Sequence, residues 1–375
     1  MRTMTAKEFG VVAIIFLFVL LSLGSLVSEG QPWYQPTNSL EQYLPPDVVE
    51  HLKILGYRTP AQFVALANSN RGLLEKELAF QVPATEMNQI LAQMQPAVQN
   101  IGWRPVYPWE QPVGLRLDRG FQIIRWQELL NRYGIVIPGF GEINNIPYCK
   151  PIKHQGDRGT CVAFGSVAFL EFEFVNHKGF SRNLDLSEQY FFWACKERDG
   201  MPWAEGTNME AGRDVMKYEG TCREVTWPYS SIPSASPGQG PPPLNAGSEA
   251  KEYVYTNIEY IGSTYALELN DIKGSLRQKH IVVFAVPVFS SWYHSEETKR
   301  TGEITMPLKK DGTEGGHCMV LVGYRDDKEY PGGGYFIVRN SWGTEWAYQS
   351  RYGAGYGTIP YAYLQEYWYG GWIAS

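Results

Sequence analysis

Of 375 residues only five are cysteine and six are histidine. Five cysteines are too few for a scaffold built on disulfides, and an odd number leaves at least one thiol outside any intramolecular bridge. The histidines are scattered, with no His-x-x-x-His and no Cys-x-x-Cys, so no metal-site spacing is visible. No Asn-x-Ser/Thr acceptor occurs, so N-glycosylation lends no support to a eukaryotic secretory route. A Gly-x-Ser-x-Gly elbow is also missing, which weakens a serine hydrolase reading. Basic residues are outnumbered, 33 Lys+Arg against 39 Asp+Glu, for a net charge of −6. A nucleic-acid binder needs a basic face to neutralise phosphates, so none is expected here. The Gly353–Gly357 glycines follow no strand–helix context and do not make a dinucleotide site. With a single long apolar run, the chain is not a multi-span membrane protein. What it does have is 44% hydrophobic and 14% aromatic residues, enough for a sizeable core and too many for a disordered chain.

The single apolar run is Val11–Val27, 17 residues after Arg2 and Lys7. A basic start followed by an apolar stretch describes an export signal, with Ser28 and Gly30 suiting cleavage before Gln31. Seventeen residues also reach the lower limit for a spanning anchor. Residues 1–30 are therefore expected to be a signal peptide or membrane anchor. Either places the rest outside the cytoplasm, secreted or tethered through residues 11–27. Disulfides are permitted there.

Residues 31–95 read as a linker and a small helical domain. Val48, Val49, Leu52 and Leu55 recur at helical spacing. Gly56 suits a helix C-terminus, and Thr59-Pro60 suits the N-cap and first position of the next helix. The module resembles a helix–hairpin–helix. Being acidic and following an export signal, it is expected to dock a protein partner through residues 40–95, or to act as a spacer, rather than hold DNA. Residues 96–140 read as a linker or a pro-segment. From 141 to 375 aromatics and glycines become dense. The runs 281–289, 317–324 and 335–340 are β-branched or aromatic and of strand length. The YPGGG cluster, 330–334, suits a hairpin between the last two, and 231–243 is a Pro/Ser/Gly loop.

Three separated stretches carry chemistry. In KHQGDRGTCVAFGSVAFLEFEF (153–174) a polar glycine loop enters a long apolar helix with Cys161 at its start. The helix N-terminus offers free N–H groups and the positive end of the dipole, both favouring thiolate. In GTEGGHCMVLVGY (312–324) His317 opens an apolar strand after two glycines. In YFIVRNSWGTEW (335–346) Asn340 ends another strand just before Trp342. Alone, each has an ordinary alternative: a buried thiol, a strand-end histidine, a turn asparagine. Together, Cys, His and Asn on separate elements form a cysteine-nucleophile set that must meet in space.

Residues 146–375 resemble the papain-like cysteine peptidases. The matching stretches are PIKHQGDRGTCVAF, LSEQYFFWAC (186–195), GGHCMVLVGY, and VRNSWGTEWA with GYGTIPYAYL (355–364). The resemblance implies an α+β fold of two subdomains, a helical half carrying the Cys helix and a β-barrel-like half carrying His and Asn. It implies Cys161 as nucleophile, His317 as general base and acid, Asn340 as the residue orienting the imidazole, and Gln155 as the oxyanion-hole side chain. The substrate is a polypeptide, cleaved through a thioester, with no metal or organic cofactor. The cleft is expected to involve Gly206 and Thr207, which would pair with an extended peptide, Gly315 and Gly316, which leave a roomy pocket, and Trp342.

The departures from the family pattern set further expectations. Val162 stands where an aromatic is common, which would alter the cleft wall. Arg158 stands where a cysteine often makes a disulfide to the neighbouring loop, so that bridge is absent. A Cys195–Cys222 bridge is expected to staple the helical half instead, with Cys149 and Cys318 unassigned. Two other classes remain: an acyltransferase that resolves the thioester with an amine, and an inactive papain-like binding protein.

Overall fold

One antiparallel sheet separates two apolar cores, and side-chain alternation along its strands assigns residues to each. A computed structural model of the chain describes residues 39–78, 82, 84–99, 141–262 and 269–375. The apolar run 11–27 and the segment 100–140 lie outside the described residues. Among the described residues no helix is long and apolar enough to cross a membrane.

The strands are β1 (Glu142–Asn144), β2 (Ile258–Gly262), β3 (Val282–Phe289), β4 (Thr313–Asp326), β5 (Gly334–Arg339), β6 (Tyr356–Pro360) and β7 (Gly370–Ala374). Their order is β2–β7–β3–β4–β5–β6, with β1 paired to β4. β3 pairs β4 as far as Leu321, and β1 takes up that side of β4 from Gly323 onward. All eight residues of β3 are buried, because both faces of the sheet are covered. Val283 and Ala285 face one core while Val282, Phe284, Val286 and Val288 face the other. The same period of two sends Cys318, Val320 and Val322 of β4 to the first core and Met319 and Leu321 to the second. This is why these runs read as continuous apolar stretches rather than alternating ones. The expected turn joins β4 to β5, closed by Asp327 N–H to the Gly333 carbonyl at 3.0 Å.

The first core belongs to the helical half: α4 (Cys161–His177), α5 (Glu188–Lys196) and α6 (Met209–Tyr218), followed by the short α7 (Ala246–Ala250). Helix α4 packs directly on β3 and β4, and Gly165 marks the close approach. A Cβ there would lie 2.9 Å from Cys318 Sγ and 3.4 Å from Val283 Cγ1. The second core lies under α8 (Leu269–Arg277), α9 (Ser290–Tyr293), α10 (Glu296–Thr301) and α11 (Tyr361–Tyr367).

Three N-terminal helices, α1 (Pro46–Ile54), α2 (Pro60–Glu77) and α3 (Ala84–Gln99), share that second core. Helix α1 ends as its sequence suggests. Gly56 takes φ 89°, and the N–H groups of Gly56 and Tyr57 reach the carbonyls of Lys53 and Leu52. Helix α2 opens with a reciprocal cap: Thr59 Oγ1 accepts from Gln62 N–H, and Gln62 Oε1 accepts from Thr59 N–H, each at 3.2 Å. The module binds the rest of the chain through residues 303–309. Met306 N–H donates to the Leu55 carbonyl at 2.9 Å, Gln62 Nε2 to Glu303 at 2.9 Å, and Lys309 N–H to Glu77 at 3.1 Å. One side of the module is thus held against this chain's own β half.

The Gly165–Cys318 approach gives a test. Ala is normally about 1 kcal/mol better than Gly inside a helix. Here Gly165→Ala should cost about 1–3 kcal/mol through overpacking. In a Cys318→Ala background the same change should be neutral or stabilising, as read by urea denaturation.

Candidate active site

The loop 153–160 is fastened to the turn after β5, and this brings the predicted residues together. Gln155 N–H donates to the Ser341 carbonyl at 2.8 Å, and Gly343 N–H donates to the Lys153 carbonyl at 3.2 Å. Lys153 is itself anchored in the helical half by Glu171 at 3.2 Å and Glu188 at 2.8 Å, both carboxylates buried. Cys161 is the first residue of α4, fully buried, and its neighbour across the sheet contact is Cys318.

His317 lies on β4 opposite Val286, with no exposed surface. Its Nε2 is 2.8 Å from Asn340 Oδ1. The same Oδ1 accepts from Ser341 N–H at 2.8 Å, which settles the orientation of the amide. A carbonyl oxygen only accepts, so Nε2 carries the hydrogen and Nδ1 of the neutral ring carries the lone pair. Among the described residues Nδ1 has no hydrogen-bond partner. Trp342 stacks on the imidazole at 4.5 Å between centroids and 26° between planes. Trp342 is backed in turn by Trp292 and Trp346. Burial pushes His317 down to about 4, and the Asn340 bond pulls it partly back.

The oxyanion candidate is equally constrained. Gln155 is fully buried; Ser341 Oγ donates to its Oε1 at 2.6 Å, and its Nε2 donates to the Arg158 carbonyl at 2.9 Å. Ser341 thereby turns the NH2 group toward the Cys161 loop. The backbone carbonyl of Gln155 accepts from Tyr229 Oη at 2.6 Å, so the 2.7 Å contact between Thr160 and Tyr229 has Thr160 as donor.

Arg158 does more than mark a missing disulfide. Its side chain is fully buried, with Nη1 donating to Gln189 Oε1 at 2.7 Å and the Ser230 carbonyl at 2.6 Å, and Nη2 to the Pro237 carbonyl at 2.9 Å. The guanidinium also lies over the Phe192 and Tyr229 rings. It ties the nucleophile loop to the 231–243 loop by hydrogen bonds where a disulfide would do so covalently. Of these residues, Ser341 adjoins Asn340 and was within reach of sequence reasoning. Tyr229 and the two backbone acceptors of Arg158, Ser230 and Pro237, lie 70 or more residues away and had no sequence signal.

Other expectations fare unevenly. Val162 points toward α6, its Cγ1 2.8 Å from where a Cβ on Gly212 would stand, so it belongs to helix packing rather than the cleft wall. Gly206 turns at φ 79°, and its carbonyl accepts from Lys196 Nζ at 2.9 Å. Thr207 is fully buried, and Asn208 caps α6 through Ala211 N–H at 2.7 Å. The Gly206 carbonyl and the Asn208 side chain are thus bonded inside the helical half. Gly315 is half-buried with φ 137°, and Gly316 is buried opposite Pro287 on β3.

The Cys195–Cys222 bridge is not formed; none of the five cysteines is in a disulfide. The two face different surroundings, Cys195 beside Asp199 and Glu219, Cys222 beside Ser187 and Glu249. Burial pushes both thiols up, Cys222 to about 12, and does the same to Cys149, to about 11, and to Cys318. Four of the five are therefore held as thiols. Cys161 is the one that opens an α-helix.

Comparisons with known proteins agree with this geometry. The family model described as papain family cysteine protease matches residues 142–358. The chain is 27% identical over 231 residues to an uncharacterised peptidase C1-like protein of Acanthamoeba polyphaga mimivirus, covering 60% of this chain and 69% of that protein. It is 30% identical over 204 residues to cysteine proteinase 1 of Entamoeba histolytica, covering 52% of this chain and 56% of that protein. The chain thus spans little more than half the length of the second relative. Xylellain, a cysteine protease from Xylella fastidiosa, superposes with a TM-score of 0.56 at 23% identity, covering 73% of this chain and 99% of that one. At that identity the likeness speaks for the fold.

Burial of His317 has a measurable consequence where no thiolate balances it. In Cys161→Ala the folded ring titrates near 4 and the unfolded ring near 6.5. Stability from the neutral ring is then full above pH 6.5 and lost as pH falls through 4. Between these values Cys161→Ala should lose more stability than Cys161→Ala/His317→Gln in urea melts. Parallel losses would show that His317 is not held neutral.

Proposed function

The chain belongs to the papain family of cysteine proteases, and on that footing we propose that it hydrolyses peptide bonds through a Cys161 thioester. The observation that carries this reading is the double acceptance at Asn340 Oδ1, from His317 and from Ser341 N–H. It fixes the imidazole in the tautomer whose Nδ1 is a base, in a ring already shielded by Trp342. Cys161 gives its proton to His317, and the thiolate attacks the peptide carbonyl. The developing oxyanion is stabilised by the Gln155 amide and the Cys161 backbone N–H, preorganised donors at a buried site. His317 then protonates the leaving amine, and a water activated by the same ring hydrolyses the thioester. Arg158 and Tyr229 position the loop that carries both the nucleophile and Gln155. In this reading the apolar run 11–27 exports or anchors the chain, and the peptidase acts outside the cytoplasm.

Three variants grade the mechanism. Cys161→Ala should abolish cleavage of a peptide library and labelling by a peptide-like thiol alkylator, with far-UV circular dichroism unchanged. Gln155→Ala should lower kcat by roughly 10²–10³. Ser341→Ala should lower kcat by about tenfold with little change in KM, because it loosens the Gln155 amide without removing it. Cleavage surviving in Cys161→Ala would sink the proposal, and peptides joined rather than cut would redirect it to acyl transfer.

A further inference from the structure

Outside the site just described, one cluster combines metal-ligating side chains from two elements. Glu173 and His177 are four residues apart on α4, hence on one face of the helix. His280 comes from the turn that follows α8 and leads into β3. One ligand atom from each of the three lies within 4.8 Å of the others. We infer that Glu173, His177 and His280 form a binding site for a divalent transition-metal ion of the zinc class.

The donor set fits. Two imidazoles and one carboxylate, with a fourth position for water, is a zinc-type arrangement. Bond lengths of about 2.0–2.1 Å place tetrahedral donors roughly 3.3 Å apart, a distance that side-chain rotation can reach here. The rings of His177 and His280 are stacked, centroids 4.3 Å apart and planes 25° from parallel. His177 Nε2 is 2.9 Å from the Lys279 carbonyl. Donation to that carbonyl selects the tautomer with a lone pair on the other nitrogen, and such a backbone bond typically accompanies a ligating histidine.

Charge supplies a second argument. Glu173 is fully buried; Tyr255 Oη donates to it at 3.0 Å, and His280 Nδ1 lies 3.0 Å from each of its oxygens. Among the described residues, no lysine or arginine forms an ion pair with it. A buried carboxylate is costly without a compensating cation. A metal ion held with the two imidazoles would supply one. His177 is exposed and lines a cavity of about 400 Å³, together with Tyr148 and Phe172, which gives the ion a way in. Lys279 and Arg182 on the same wall oppose a cation, so affinity rests on the three ligands.

The position gives the ion a role. Helix α4 runs about 24 Å from Cys161 to His177 at 1.5 Å per residue. An ion at its far end clamps the helix that carries Cys161 to the strand paired with the one that carries His317, without entering the cleft.

The test uses the full-length chain with Cys161→Ala, which removes a thiol that would itself take zinc. Calorimetric titration with Zn²⁺ should show one site per chain, and Zn²⁺ should raise the melting temperature. Adding His177→Ala should weaken binding at least about tenfold and nearer 100-fold, leaving the metal-free melt unchanged because the side chain is exposed. Glu173→Gln or His280→Ala should weaken binding by a similar factor, with some loss of metal-free stability because Glu173 is buried and bonded to His280. With Cys161 present, His177→Ala should leave peptide cleavage by the zinc-free protein unchanged, which separates this site from the catalytic one. No stoichiometric binding below about 1 mM Zn²⁺, or binding equally tight with His177→Ala, would overturn the inference. Should His280→Ala not fold, His177→Ala alone decides the matter.

Discussion

Everything at the site hangs on the join between Gln155 and Ser341. One backbone bond, at 2.8 Å, and one side-chain bond, at 2.6 Å, join these residues and, with the Gly343–Lys153 bond, fasten the loop before α4 to the turn after β5. They help to hold Cys161 on one half in register with His317 on the other. Ser341 serves both directions: its hydroxyl aims the Gln155 amide, and its N–H aims the Asn340 amide that holds His317. Both bonds are buried, so breaking either leaves an unpaired polar group in a dry place, which costs more than the bond contributes. That asymmetry makes the arrangement rigid.

The sheet turns this local join into a global one. Because its strands are covered on both faces, a displacement of β4 is felt in both cores. Cys318 faces α4 while its neighbour His317 faces the tryptophans of the second core. The N-terminal helices enlarge that second core, and α2 packs on the segment that includes α9 and α10. Trp292 on α9 stacks with Trp342 at 6.5 Å. A continuous series of packed rings therefore runs from beneath the helical module to the imidazole. The module is in this sense a buttress for the histidine side, whatever else it does.

What the sequence revealed followed from local physics. Strand runs, the turn at 330–334, the Gly56 stop and the Thr59 cap each depend on residues within a few positions of one another, and each appears in the structure. The Cys, His and Asn motifs were legible because each carries its own flanking pattern. What stayed hidden depends on pairing at a distance. Arg158 looked like the loss of a bridge, yet its acceptors are mostly carbonyls, which any residue supplies and no pattern betrays. The Cys195–Cys222 expectation failed because spacing does not say which way two buried thiols point. Glu173 and His177 share a helix face, but His280 lies about a hundred residues on, so a search for short spacing motifs passes over the three.

The electrostatics of His317 show how narrowly the chemistry is poised. A shift from 6.5 to about 4 corresponds to roughly 3 kcal/mol against the imidazolium. In the ion pair proposed above, a thiolate in contact with the ring would return a comparable amount, about 4 kcal/mol for charges about 4 Å apart at an effective dielectric constant near 20. The two quantities nearly cancel. In the proposed mechanism the protonated ring is tolerable only while the sulfur is charged, and the charged sulfur draws its local stabilisation from the ring and the helix terminus. On that proposal, when the sulfur bonds to carbon and loses its charge, the balance tips and the buried ring is driven to release its proton. The nearest acceptor with a use for it is the departing amine. Burial that looks like an obstacle to a general base thus becomes the force that makes it a general acid one step later.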